Sequence, residues 1–216
     1  MNEVQILSET ELVTTIGKKS IGKIELKRKL FHLFVMLLPV LHILGLSRRI
    51  IMILFTLLVI LIFPLEYYRL KHPERFLKRY IRKSEIGQMA GYIPFIIGGY
   101  LVYLLFDWRI TTYALFVSAF GDAGAAIIGT CYGKHRLPFT KHKSVEGTIA
   151  ALSISLLVIL ILDLIDRSVI NPLAMLAPII IIGTDFIEDP PNAFLSDNFL
   201  NPVLCGVFFW AIGIPR

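Results

Sequence analysis

The chain has 216 residues, 56% of them apolar and 18% charged, with a mean hydropathy of +0.71. That balance excludes an ordinary soluble domain and indicates an integral membrane protein with room for one compact bundle. The net charge of +6 comes without a helix-turn-helix, zinc-finger or ribonucleoprotein pattern, so no nucleic-acid partner is expected.

Residues 1–28 are polar and lack the short apolar core of a signal peptide, so they are expected to remain as a cytosolic amino-terminal segment. A single integral-membrane domain then occupies 29–216. Apolar runs predict spans near 30–46, 49–65, 86–106, 110–130, 147–163, 169–184 and 199–213, an all-α polytopic transmembrane bundle of about seven crossings. With the amino terminus inside, the inner segments 1–29, 66–85, 131–146 and 185–198 carry 6, 7, 4 and 0 Lys plus Arg, 17 of the 22. The remainder, Arg48, Arg49, Arg109, Arg167 and Arg216, fall outside, as the positive-inside rule requires.

Two segments invite closer reading. Asn171, Pro172, Pro178 and Gly183 interrupt the sixth span, which is expected to be short or broken. In 66–85, Tyr67, Tyr68, Leu70, Phe76, Leu77, Tyr80 and Ile81 interleave with seven basic residues, the pattern of an interfacial helix on anionic lipid headgroups or of a topology anchor. Cys131 and Cys205 lie far apart without a C-x-x-C spacing, so neither a disulfide framework nor a metal knuckle is indicated.

The unusual polar residues cluster on or beside inner segments. Asp122 lies in an apolar, small-residue stretch, where a carboxylate is costly unless a cation, a base or a water-filled cavity accompanies it. A divalent metal beside a nucleotide triphosphate would supply one. Gly121, Ala125, Gly129 and Gly133 have the spacing of close helix packing, and glycines at 129 and 133 would equally let backbone N–H groups approach an anion. The loop that follows offers Lys134, His135, Arg136, Lys141, His142 and Lys143 as point charges for a triphosphate. Ser144 is placed to cap the next helix, with Glu146 available to bind metal or orient Lys143, and Gly147 beside it. Neither a Walker A loop nor a G-x-G-x-x-G fingerprint is present. Arg28 and His32 share a helix face entering the first span, where they suit phosphate or a lipid hydroxyl, or simple packing. The last group, Asp185, Glu188, Asp189, Asp197 and Asn198, is acidic and suits a metal, a proton acceptor or merely a loop.

Three blocks in order, Lys27-Arg28-Lys29-Leu-Phe-His32, Gly121-Asp122-Ala through Lys143-Ser-Val-Glu146-Gly147-Thr148, and Glu188 followed by Asp197-Asn198 and Pro202, resemble the dolichol kinase, phytol kinase and CTP-dependent diacylglycerol kinase family. The middle block is the specific one. The resemblance implies transfer of the terminal phosphate of CTP, with Mg²⁺, to a membrane lipid alcohol: a polyprenol, dolichol, phytol, geranylgeraniol or diacylglycerol. It implies Asp122, Lys143, Glu146 and Asp197 as catalytic residues, with Asp122 and Glu146 serving the metal. Gly121, Gly129, Gly133, Lys134, Lys141, Lys143, Ser144 and Gly147 would bind nucleotide, and Arg28, His32, Glu188 and Asn198 would contact lipid or phosphate. The family commonly carries two acids before the Asn, where this chain has Ser196-Asp197-Asn198. The middle block is similar also to CTP:phosphatidate cytidylyltransferases, whose second signature is absent. A CDP-lipid-forming enzyme and a non-enzymatic membrane carrier are the rival readings, and the sequence leaves a homo-oligomer open.

Overall fold

The computed structural model describes residues 32, 34–72, 88–138, 140, 143–167, 171–186 and 196–214. The described residues are helical, without strands: α1 (Phe34–Ile43), α2 (Arg48–Lys71), α3 (Tyr92–Leu105), α4 (Trp108–Tyr132), α5 (Val145–Ile165), a 3₁₀ turn (Pro172–Leu176), α6 (Pro178–Asp185) and α7 (Asp197–Ala211). Each predicted span therefore coincides with a helix. By length and composition α2, α4 and α5 are long and apolar enough to cross a membrane, whereas α1, α3 and the Pro172–Asp185 segment are shorter apolar helices. Three helices begin at side-chain caps: Ser47 accepts from the Ile50 N–H, Asp107 from that of Arg109 and Ser144 from that of Gly147.

Successive helices alternate in direction, as the contacts at their ends establish. His32 lies beside Phe95, with ring centroids 4.3 Å apart, while His42, at the far end of α1, packs on Trp108. Arg48, at the start of α2, donates to the carbonyl of Phe106 at 2.7 Å, whereas Glu66 near its end accepts from the Ala90 N–H at 2.8 Å. The antiparallel pair α4–α5 is closed by Arg109–Asp166 at one end and by Gly129 against Ser144 at the other. Asn171 donates to the Ile212 carbonyl beyond α7, while Asp185 and the first residue of α7, Asp197, meet on Lys143. The broken sixth segment thus runs the length of the bundle in two short pieces. Pro178 starts α6 because a first-turn position lacks the hydrogen bond that proline cannot make.

Helix α4 is the centre of the bundle. On one side Ile110, Tyr113, Ala114 and Val117 join the core formed with α5, α6 and α7, and on the other Leu115 and Ala119 join α1, α2 and α3. Outward-facing Ile60, Leu61, Leu157 and Leu164 are exposed, the arrangement of a surface meant for lipid tails.

The second span ends later than the apolar run suggests. Helix α2 continues through Lys71, and Glu66 and Arg69 are buried within the fold, so 66–71 is not part of a separate interfacial helix. The pair survives burial because it is hydrogen-bonded throughout. The Arg69 Nε and Nη2 donate to Glu66 at 2.6 Å, Nη2 also donates to the Gln88 carbonyl, and the Ala90 N–H and Tyr92 hydroxyl donate to the Glu66 carboxylate. Tyr67 and Tyr68 remain exposed, with Lys71 over the Tyr67 ring. The rest of the segment, 73–85, lies outside the described residues, as do 1–28.

Candidate functional site

The small-residue stripe of α4 faces α5. A side chain at Gly121 would strike Ser155 and Ile181, one at Gly124 would strike Ile154, and one at Gly133 would strike Ser144 and the Gly129 carbonyl. From the opposite helix, a Cβ on Gly147 would lie 2.8 Å from the Ala125 carbonyl oxygen and 3.1 Å from the Gly129 Cα. Backbone-to-backbone approach at this seam brings the end of α4 against the start of α5. Close packing therefore accounts for the presence of glycine at 121, 129, 133 and 147.

The link between α4 and α5 is a tight hairpin. Arg136 and Ser144 form an isolated antiparallel bridge, the Leu137 N–H donates to the Lys143 carbonyl and the Val145 N–H to the His135 carbonyl. Glu146 closes it, accepting from the His135 backbone N–H at 3.2 Å and lying 2.7 Å from His135 Nδ1. Its carboxylate is thus committed to the loop. Lys134 lies at the start of that hairpin.

Lys143 leaves the hairpin pointing inward. Its ammonium lies 3.1 Å from Asp185 Oδ1 and 3.1 Å from Asp197 Oδ2, and it donates to the Thr184 carbonyl at 3.4 Å. These contacts occupy all three protons of the ammonium. Asp185 is fixed from its other oxygen by the Thr148 hydroxyl at 3.2 Å. Burial pulls the Lys143 ammonium toward neutrality, but the Asp197 and Asp185 carboxylates outweigh it and raise its pKa above the usual lysine value. At Asp185 burial is the largest single influence and raises the pKa; Lys143 opposes it, and Asp197 and Asp122 add to the rise, so the net shift is upward. Asp122, on α4, is thus near enough to Asp185 to act on it electrostatically.

Asp122 itself is 16% exposed and lies 3.5 Å from the Nδ1 of His32, which is 1% exposed. The side-chain oxygen Oδ1 of Asn198, in the first turn of α7, is buried and has no hydrogen-bond partner among the described residues, so it is available as an acceptor. Thr184 and Asn201 are hydrogen-bonded beneath, tying α6 to α7.

One end of the bundle accordingly gathers His32 from before α1, Asp122 from α4, Lys143 from the hairpin, Asp185 from α6, and Asp197 and Asn198 from α7. Arg28, Lys141 and Glu188 lie outside the described residues. Two expected partners do not meet as expected: Glu146 turns to His135, and among the described residues no three His, Cys, Asp or Glu side chains converge on one metal-sized point. In the chain Asp185 stands out only as one member of an acidic run and Thr148 only by its place in the middle motif; their pairing with each other, and that of Asp185 with Lys143, belongs to the fold.

The chain is 28% identical over 144 residues to CTP-dependent diacylglycerol kinase 1 of Saccharomyces cerevisiae, covering 63% of this chain and 50% of that protein. It spans about half the length of this curated relative. No protein-family model matches the chain, and no solved structure matches it.

Proposed function

We propose that the protein is a CTP-dependent lipid-alcohol kinase of the membrane, transferring the terminal phosphate of CTP to the hydroxyl of an isoprenoid alcohol or a diacylglycerol. The observation that carries this reading is the convergence, at one end of a membrane-type bundle, of Lys143 with Asp185 and Asp197 from two helices, with Asp122 of a third near enough to act on Asp185. The similarity to a CTP-dependent lipid kinase supports the same class at the level of the family. The alternating helix directions and the bias of Lys and Arg support seven crossings, with the amino terminus and the site on the cytosolic side, where the nucleotide is.

Asp185 and Asp197 outnumber the one ammonium they share, and Asp122 adds to the negative charge acting on Asp185, an excess that a triphosphate would meet unfavourably without a cation. Hard oxygen donors fit Mg²⁺, which typically takes one or two carboxylates and completes its shell with water and phosphate oxygens, so a converging protein cage is not required. Asp122 would hold the ion; Glu146 would join it only by exchanging its contact with His135. When bound, the ion would neutralise charge on the transferring phosphate. Phosphoryl transfer is mostly positioning and charge stabilisation, and the protein's share falls to Lys143 and the basic hairpin. Gly129, Gly133, Gly147 and Ser144 pack together at the hairpin's base, with Lys134 beside them as a charge for a nucleotide laid along it. The Asn198 side-chain oxygen, without a partner among the described residues, suits a hydroxyl donor better than a phosphate, which supports Asn198 as a contact of the lipid alcohol. Asp197 would accept the hydroxyl proton once released from Lys143, and His32 would hold Asp122 in place.

The test is purified protein in mixed micelles with Mg²⁺, prenols and diacylglycerol, and CTP labelled at the α or the γ phosphorus. Label from γ in the lipid is expected. Label from α with phosphatidate would make the enzyme a cytidylyltransferase, and label from neither, with ATP also inactive, would favour a carrier.

A further inference from the structure

Asp185 stands where a carboxylate is least expected. It closes α6, and the carboxyl end of a helix carries partial negative charge that disfavours another anion. The Lys143 ammonium reaches both the Asp185 carboxylate and the Thr184 carbonyl of that helix end, so it offsets the side chain and the dipole together. The two acids on Lys143 are not equivalent. Asp185 is held at its second oxygen by Thr148, whereas Asp197 makes its ion pair with Lys143 from the first turn of α7.

We propose that Asp185 is the positioning residue for Lys143, keeping its ammonium charged and aimed into the site while Asp197 is the partner that yields to a nucleotide phosphate. This deepens the kinase reading and rests on it. A lysine taken from water into a half-buried site tends to lose its proton, and a phosphate ligand requires the charged form. Facing Lys143 among the described residues are Asp185 from α6 and Asp197 from α7; Asp122 from α4 acts on Asp185, and Glu146, at the start of α5, is turned to His135. Removing Asp185 leaves burial opposed by Asp197 alone. Thr148 matters because a carboxylate free to rotate would follow the ammonium rather than fix it.

The test reads the Lys143 amine directly, by trace acylation of the full-length protein in micelles across pH with mass-spectrometric readout. Asp185→Asn is expected to lower the midpoint of reactivity by about one pH unit or more, about tenfold in the uncharged fraction at fixed pH. Thr148→Val, which removes only a hydroxyl, is expected to shift it the same way by less, and it serves if Asp185→Asn fails to fold. In the kinase assay the alkaline limb of kcat/KM for CTP should move down with the amine, and Lys143→Arg combined with Asp185→Asn should abolish that movement, since arginine stays charged. An unmoved amine midpoint overturns the proposal, as does a midpoint that falls while the alkaline limb stays. If the wild-type protein transfers no phosphate, the kinase reading fails separately. The positioning role then stands or falls on the midpoint together with CTP·Mg²⁺ binding by equilibrium dialysis, which Asp185→Asn must weaken at pH above the lowered midpoint.

Discussion

Gly147→Ala separates the two uses of glycine at the α4–α5 seam. The added Cβ would stand 2.8 Å from the Ala125 carbonyl oxygen, with the Gly129 Cα at 3.1 Å and the Ser144 hydroxyl at 3.2 Å. Two of those three atoms are backbone, so no rotamer change relieves the contact; α5 must move off α4 by about 0.6 Å to reach ordinary van der Waals distance. Overpacking of this kind costs roughly 1–3 kcal/mol. Gly183→Ala is the control, because among the described residues nothing lies within 4 Å of its Cβ position and α6 gains up to about 1 kcal/mol of helix propensity. Thermal unfolding of both variants in detergent, beside CTP·Mg²⁺ binding, gives the readout. The expected result is a destabilised Gly147→Ala protein and a Gly183→Ala protein at least as stable as wild type. A Gly147→Ala protein of unchanged stability that no longer binds nucleotide would refute the packing account and assign the glycine to backbone contact with phosphate.

Asp122→Asn is expected to abolish turnover while the protein still inserts and unfolds as wild type; near-normal activity would remove Asp122 from the site. Arg69→Met leaves the Glu66 carboxylate buried without its guanidinium, and a loss of about 3–5 kcal/mol is expected in unfolding measurements. Wild-type stability there would mean that the Ala90 and Tyr92 donors suffice. Glu146→Gln should loosen the hairpin without displacing Ser144 as cap of α5, seen as faster amide hydrogen exchange at Leu137 and Val145. Unchanged exchange with lost activity would return Glu146 to direct contact with metal or nucleotide.

The order and approximate extent of the described helices are legible in the chain because each is encoded locally. A run of apolar residues has to satisfy its backbone within itself, and a cap such as Ser144 or a breaker such as Pro178 acts within one turn. The small-residue stripe from Gly121 to Gly133 likewise shows in the spacing that this face approaches another helix closely, though not which one. The middle motif marks Asp122, Lys143 and Glu146 as chemically unusual for the same local reason. What the tertiary structure decided is which of these groups meet. His32 and Asp122 are ninety residues apart, and Lys143 reaches Asp185 and Asp197 from two other helices. The burial of Arg69, one basic residue among seven in its segment, depended on Gln88, Ala90 and Tyr92 arriving at and just before the start of the next helix. Such pairings follow from the rotation and axial register of packed helices, set by contacts like that of Gly147 with Ala125 and Gly129 summed over the whole bundle. No window of sequence contains that sum, so the kinds of groups at the site could be read from the chain, and their partners only from the fold.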